Sequence, residues 1–355
     1  MISFARGAPA PECIPASLLA ACARAALEHD AAALAYGPVG GYGPLREWLG
    51  EQHAVAPGQV LIGNGGLQAL GFVAEALLAG DERRVLVEGP TYDRTLTILA
   101  RLDADVEPVP MDAEGLDLDA LAAALDSGPR PAFVYTIPTF QNPSGRTLDL
   151  DRRRALVELL RDRGVTLLED DPYRLVRFDG EPLPTLHELA GGVGVVHASS
   201  FSKTVAPGLR VGYVVLPPEL VRAVEAVAVA AYITPALLGQ ATVWELIRRG
   251  GFVPNVERVR ALLRARRDAM LTAFERELPS SASWSRPQGG YFVWADLGVD
   301  TEELSARAAA AGVAFVKGSD FFPDGRGGER AARLAYSFVS PAEIEEGVAK
   351  LAALL

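Results

Sequence analysis

Short apolar or β-branched runs alternate with longer helical patterns along the chain. Val85-Leu86-Val87 precedes a helical stretch from Thr91 to Leu102, and Val60-Leu61-Ile62 precedes one reaching Leu78. Ala132-Phe133-Val134-Tyr135 is followed, after a Pro/Asn/Gly turn, by a helical pattern from Asp149 to Arg163. Val165-Thr166-Leu167-Leu168 runs into Glu169-Asp170-Asp171-Pro172, and Val193 to His197 runs into a serine-rich stretch that ends at Lys203. Val211 to Val215 reads as a further strand. Such alternation predicts an α/β protein with a mostly parallel sheet covered by helices on both faces.

The second half changes character. A long helical region, Pro254 to Leu278, leads into the strand-like segments Gly289 to Trp294, Ala314 to Val316 and Arg333 to Phe338, and a helix from Pro341 to Leu355 follows. This half predicts a smaller α+β domain. The division expected is residues 40–235 as a large domain, with 1–39 and 236–355 forming the small one. The Gly/Pro-rich segments 37–43 and 323–328 read as turns rather than linkers. Ligands on parallel sheets bind beyond the C-terminal ends of strands. That rule gathers Pro138 to Gly145, Asp170 to Tyr173 and Ser199 to Lys203 into one region.

Composition narrows the function classes. With 355 residues and 49% hydrophobic content the chain can bury one large core or two coupled ones. A formal net charge of −11 argues against a nucleic-acid backbone or an anionic membrane as partner. No apolar stretch reaches the length of a membrane span, and the N-terminus lacks a signal-peptide layout, so a cytoplasmic protein is expected. Cys13 and Cys22 read as reduced small hydrophobes. The four histidines, His29, His53, His187 and His197, show no metal-ligand spacing, and no metal is expected.

Candidate chemistry starts at lysine. Of 34 basic residues only Lys203, Lys317 and Lys350 are lysines. An arginine is never usefully deprotonated, whereas a lysine in the right environment becomes a nucleophilic amine. Lys203 lies in Ser199-Ser200-Phe201-Ser202-Lys203, shortly before Pro207-Gly208-Leu209-Arg210. Gly63-Asn64-Gly65-Gly66-Leu67 opens a helix after a strand, an arrangement whose exposed amides suit a phosphate. Asp170 and Tyr173 stand three residues apart beyond a strand; an aspartate so placed can hold a proton on a ring nitrogen, with the phenol near a ring oxygen.

Together these motifs resemble the class I/II aminotransferases of pyridoxal-phosphate fold type I, most of all the 2-aminoadipate/kynurenine aminotransferase branch. That branch is also similar to the aminotransferase-like half of MocR-type regulators. The resemblance runs from Ile2-Ser3-Phe4 through Glu88-Gly89-Pro90-Thr91-Tyr92, Gln141-Asn142-Pro143-Ser144-Gly145, Glu169-Asp170-Asp171-Pro172-Tyr173 and Ser200-Phe201-Ser202-Lys203 to Gly289-Gly290-Tyr291-Phe292 and Arg333-Leu334. It implies pyridoxal phosphate as cofactor and transfer of an amino group from an L-amino acid to a 2-oxo acid. It makes Lys203 the Schiff-base lysine and proton shuttle, and Asp170 the partner of the pyridine nitrogen. Tyr173 and Asn142 reach the phenolic oxygen, and Tyr92 stacks on the ring. Gly65, Gly66, Leu67, Ser200, Ser202 and Arg210 surround the phosphate. Arg333 clamps the substrate α-carboxylate, with Asn142 beside it, and Gly7 lines the pocket. Tyr36 reaches the phosphate of the neighbouring subunit, which implies a homodimer.

Three departures accompany the resemblance. Gly66-Leu67 stands where the family commonly has a polar pair, so phosphate binding there falls to main-chain amides. The family usually carries some tens of residues before Ile2-Ser3-Phe4, including a helix over the active site, so a differently covered entrance is expected. Arg6 replaces a usual glycine beside the pocket, where a guanidinium can bind a side-chain carboxylate. An alternative keeps the cofactor and changes the reaction to elimination, cyclisation or oxidation of an amino acid, because fold-level analogy does not fix reaction type. A non-catalytic sensor of the cofactor is disfavoured by the acidic charge and the lack of an appended DNA-binding domain. Ser200-x-x-Lys203 as an acyl-enzyme motif fails for want of its partner motifs.

Overall fold

The computed structural model describes residues 1–355. Its larger sheet has eight strands in the order Val60–Gly63, Gly212–Val215, Val195–Ser200, Thr166–Asp170, Phe133–Thr136, Arg84–Gly89, Asp105–Asp112 and Gly115–Leu116. The five strands from Val195–Ser200 to Asp105–Asp112 are mutually parallel; Gly212–Val215 runs antiparallel to both of its neighbours. Side-chain alternation supplies two apolar faces. Val85, Val87, Phe133, Tyr135 and Leu168 pack in one layer with helix Gly66–Leu77. Leu86, Val134, Leu167 and Val195 pack in the other with helix Leu150–Arg163. The expected doubly covered sheet is the one observed.

Strand Asp105–Asp112 has no counterpart in the sequence-based expectation. Its two prolines and alternating acids do not read as a strand, yet it pairs along most of its length with Arg84–Gly89. Only two residues of Gly115–Leu116 cover its other side, so it is close to an edge, where proline costs little. Strand Ala331–Ala335 ends three residues before the expected Phe338.

The smaller sheet is antiparallel, in the order Ser283–Trp284, Phe292–Asp296, Ala331–Ala335 and Val316–Lys317. Ile2–Ser3 pairs with Val313–Ala314, which ties the start of the chain to this half. Helices Ala16–His29 and Leu237–Arg248 behave otherwise. Leu19, Cys22 and Ala26 of the first and Leu237, Ala241 and Leu246 of the second share a core with Ile62, Tyr213 and Val215 of the large sheet. By packing, these two helices sit with the large sheet, although the expected boundaries at 39 and 236 put them with the small domain.

Candidate active site

The parallel strands deliver their C-terminal ends to one edge of the sheet, and the loops leaving them wall a cavity of about 300 Å³. Its lining includes Gly7, Gly66, Leu67, Tyr92, Asn142, Asp170, Tyr173, Ser200, Ser202, Lys203 and Arg210. Most of the expected site residues therefore converge from segments far apart in the chain. Gly65, Tyr36, Arg6 and Arg333 are not in this wall, and each stands in a describable place.

Gly65 caps helix Gly66–Leu77 with φ +102°, and a Cβ there would lie 2.1 Å from an Arg210 nitrogen. Glycine is what lets the guanidinium approach the helix start. The first amides of that helix have no intrahelical acceptor, and the helix dipole points its positive end at the cavity. Gly212, unremarked by sequence, is equally constrained, because a Cβ on it would meet the Gly66 nitrogen at 2.0 Å. Across from the helix, Ser200 Oγ donates to Ser202 Oγ at 2.8 Å and accepts from the Ser202 amide at 3.0 Å. Amides, hydroxyls and one guanidinium thus form an anion cradle with no carboxylate in it.

Lys203 Nζ donates to the Gly7 carbonyl at 3.1 Å and lies 5.0 Å from the Tyr291 ring centre and 5.5 Å from that of Tyr173. Burial pushes its pKa down to about 8; the Arg333 charge adds to this and Asp170 opposes it. Asp170 faces the same cavity. Its Oδ2 accepts from the Tyr135 hydroxyl at 2.8 Å, and Tyr135 accepts in turn from Thr95 at 3.1 Å. Burial raises Asp170 to about 7, with the Tyr135 bond working against the rise. Tyr92 is raised to about 12 by burial, so its phenol stays neutral.

Arg333 stands behind Asn142. Its Nη1 donates to Asn142 Oδ1 at 3.0 Å and its Nη2 to the Ala5 carbonyl at 2.9 Å, while Nε is buried without a partner. Phe292 and Phe321 flank the guanidinium at 4.4 and 5.0 Å. Arg6 lays its guanidinium over the Phe338 ring at 4.0 Å. Tyr36 is 84% exposed and does not serve the cavity of its own chain.

Sequence reasoning missed Tyr135 and Glu88. Glu88 is fully buried, accepting from Thr136 Oγ1 at 2.5 Å, the Ile137 amide at 3.1 Å and Gln141 Nε2 at 3.0 Å, which anchors the loop carrying Asn142. Its place in Glu88-Gly89-Pro90 was legible as motif, but its partners were not.

The family model for aminotransferase class I and II matches residues 3–351. A 2-aminoadipate transaminase of Thermus thermophilus is 41% identical over 357 residues, covering 99% of this chain and 89% of the relative. The crystal structure of the α-aminoadipate aminotransferase from Thermus thermophilus, complexed with N-(5'-phosphopyridoxyl)-L-leucine, superposes with a TM-score of 0.95 at 40% identity, covering 100% of this chain and 92% of that one. A Pyrococcus horikoshii kynurenine aminotransferase superposes with a TM-score of 0.94 at 33% identity, covering 100% and 90%.

Proposed function

The chain belongs to the aminotransferase class I and II family, and on that premise we propose how its own residues divide the work of a pyridoxal-phosphate-dependent aminotransferase. The observation that carries the assignment is the convergence of Lys203, Asp170 and the anion cradle on one cavity. The cradle fits a phosphate, because Arg210, the Ser200 and Ser202 hydroxyls and the amides of Gly66 and Leu67 are all donors there. Asp170 fits a protonated ring nitrogen, because it is a half-buried carboxylate whose one protein partner is a phenol. When bound, pyridoxal phosphate supplies the electron-accepting ring that lets an amino acid release its α-proton.

Lys203 would carry the cofactor and then move the proton, tasks that need an amine neutral near physiological pH. Asp170 would keep the ring nitrogen protonated by opposite-charge stabilisation. Tyr173 and Asn142, which line the cavity, would hold the ring oxygen, and Tyr92 would cover the ring. Arg333, held by Asn142 and the Ala5 carbonyl behind the cavity wall, would meet the α-carboxylate of substrate. Gly7 lines the pocket that takes the substrate side chain, and Arg6, stacked on Phe338 outside the wall, would have to leave that ring to reach a side-chain carboxylate.

The functional unit is a homodimer in this reading. Tyr36, Leu34 and Ile233 are large, apolar and exposed around a groove formed by residues 33–36 and 234–238. Apposing two such faces lets each subunit lend Tyr36 to the phosphate site of the other. The experiment is a pair of half-reactions. Purified holoenzyme is mixed with single amino acids, including 2-aminoadipate, kynurenine and leucine, and its absorbance is followed. Conversion to the amine form of the cofactor with stoichiometric release of the corresponding 2-oxo acid is expected, and an added 2-oxo acid should reverse it and leave as its amino acid. Ammonia release with no amine form points instead to elimination.

A further inference from the structure

Three of the four histidines meet in one buried place. His53 ends helix Gly43–His53, His187 lies in helix Leu186–Ala190, and His197 lies in strand Val195–Ser200. Their exposures are 7%, 2% and 0%. Ring centres are 4.9 Å apart for His53 and His197, 6.3 Å for His53 and His187, and 6.4 Å for His187 and His197. Two acids join them. Asp170 faces the cavity on the layer of Leu168, so alternation turns Glu169 to the layer of Leu167 and Val195, where His197 also points. Donor atoms of Glu169, Asp171 and His197 lie within 4.8 Å of one another.

This cluster is starved of partners. Eleven buried side-chain nitrogen or oxygen atoms in the protein lack a hydrogen bond, and six are here: both oxygens of Asp171, both nitrogens of His187, Nδ1 of His53 and Nε2 of His197. A fully buried carboxylate without a donor is costly unless something neutralises it. The nearby arginines do not bond to it. Arg153 donates to the carbonyls of Leu148, Pro138 and Pro184 and to Thr139, and Arg174 lies 3.6 Å from Glu188.

The atoms that do have partners are arranged to leave lone pairs free. Glu169 accepts from the Leu186 and His187 amides at 2.9 and 3.1 Å, and its Oε2 lies 3.1 Å from His197 Nδ1. The proton on His197 is thereby held on Nδ1, and Nε2 presents a lone pair. A carboxylate behind an imidazole is the usual device for orienting a metal-binding histidine. His53 repeats it with a phenol, its Nε2 lying 3.1 Å from the Tyr213 hydroxyl and its Nδ1 free. Imidazoles on one tetrahedral zinc, bound at about 2.0–2.1 Å, have ring centres roughly 5 Å apart. The His53–His197 rings already have that separation, whereas the donor atoms of His53 and His187 stand outside the close group of Glu169, Asp171 and His197 and must move in onto the ion, His187 by roughly 1 Å or more.

We propose that this cluster is a buried divalent-metal site of the zinc class, with His197 Nε2, His53 Nδ1, the Asp171 carboxylate and His187 as ligands and Glu169 orienting His197. Nitrogen donors with one carboxylate suit zinc, cobalt or nickel, whereas calcium and magnesium take all-oxygen sites. None of these residues lines the cavity. The ion's task is structural: it ties helix Gly43–His53 and helix Leu186–Ala190 to the two strands that carry Asp170 and Ser200.

The test uses holoenzyme produced in zinc-supplemented medium and dialysed without chelator, with metal content measured by plasma mass spectrometry. About one zinc per chain is expected. His197→Phe and Asp171→Asn lose it, whereas His29→Phe, at an exposed position outside the cluster, keeps it. Stripping the wild type with chelator lowers its thermal midpoint, zinc restores it, and His197→Phe responds to neither. Absence of stoichiometric metal in the wild type overturns the proposal, whatever the variants do. So does metal retained by both cluster variants, or metal whose removal leaves the midpoint unmoved, which marks an adventitious ion only.

Discussion

Lys203 and Lys317 are the same side chain in opposite surroundings. Lys317 bonds to Glu302 and lies 3.6 Å from Asp320 on the surface of the small domain. Those acids raise its pKa, the Glu302 hydrogen bond most of all. Lys203 lies at a cavity wall with a carbonyl and two aromatic rings as neighbours, and burial lowers it to about 8. A lysine flanked by acids is a fixed charge. A lysine that is buried without an ion pair, with Asp170 only partly offsetting the burial, is an amine in reserve. The difference explains why a chain whose basic residues are arginine at all but three of 34 positions keeps a lysine at position 203, since only lysine can lose its proton there.

The largest effect expected is from Lys203→Arg. It preserves charge and removes the amine, so both half-reactions should fall below detection in stopped-flow absorbance while the fold persists by circular dichroism. Turnover within about tenfold of wild type, well short of the loss that removing a covalent nucleophile entails, would erase the distinction between the two lysines. Tyr135→Phe comes next. It deletes a hydrogen bond to a carboxylate, a contact of about 1.5–3 kcal/mol. The α-proton removal step should slow by roughly 10–150-fold with KM for the amino acid little changed. A rise in KM alone would mean that Tyr135 acts through packing.

A pH series sharpens the contrast without mutation. In apoenzyme the neutral amine of Lys203 accumulates as pH rises through about 8, below the 10.5 of an ordinary lysine. Labelling by an amine-specific reagent, read peptide by peptide, should climb through that range for Lys203. Lys317, raised above the ordinary value, should lag behind it. Linkage gives a matching sign for stability. A folded-state pKa depressed below the unfolded one means that the unfolded chain binds more protons between about pH 8 and 10.5, so the Lys203 contribution improves as pH rises across that window. The smallest effect is that of Lys317→Ala. Its pairs are surface pairs, so stability in urea should change by about 1 kcal/mol or less.

Much of the site was legible because its residues sit in short motifs at strand ends. Lys203, Asp170, Tyr173, Asn142 and Arg210 are each marked by local sequence. What escaped depends on contacts across the fold. Tyr135 looks like any aromatic in a buried strand, and only the pairing of Phe133–Thr136 with Thr166–Asp170 puts its hydroxyl on Asp170. Gly212 is required by a close approach to Gly66 that no local pattern records. His53, His187 and His197 have no ligand spacing in sequence, since three separate elements bring them together. Helices Ala16–His29 and Leu237–Arg248 were assigned to the small domain by position, yet their apolar faces join the large sheet. Arg6 was legible as an unusual charge, but Phe338 decides where its guanidinium lies.

The central claim is that Lys203 alone among three lysines bears the cofactor. Borohydride reduction of the holoenzyme fixes the cofactor to its amine, and peptide mapping by mass spectrometry locates it. The account predicts a pyridoxyl-phosphate label on the peptide containing Lys203 and on neither of the other two. A label on Lys317 or Lys350, with Lys203 unmodified, would contradict it.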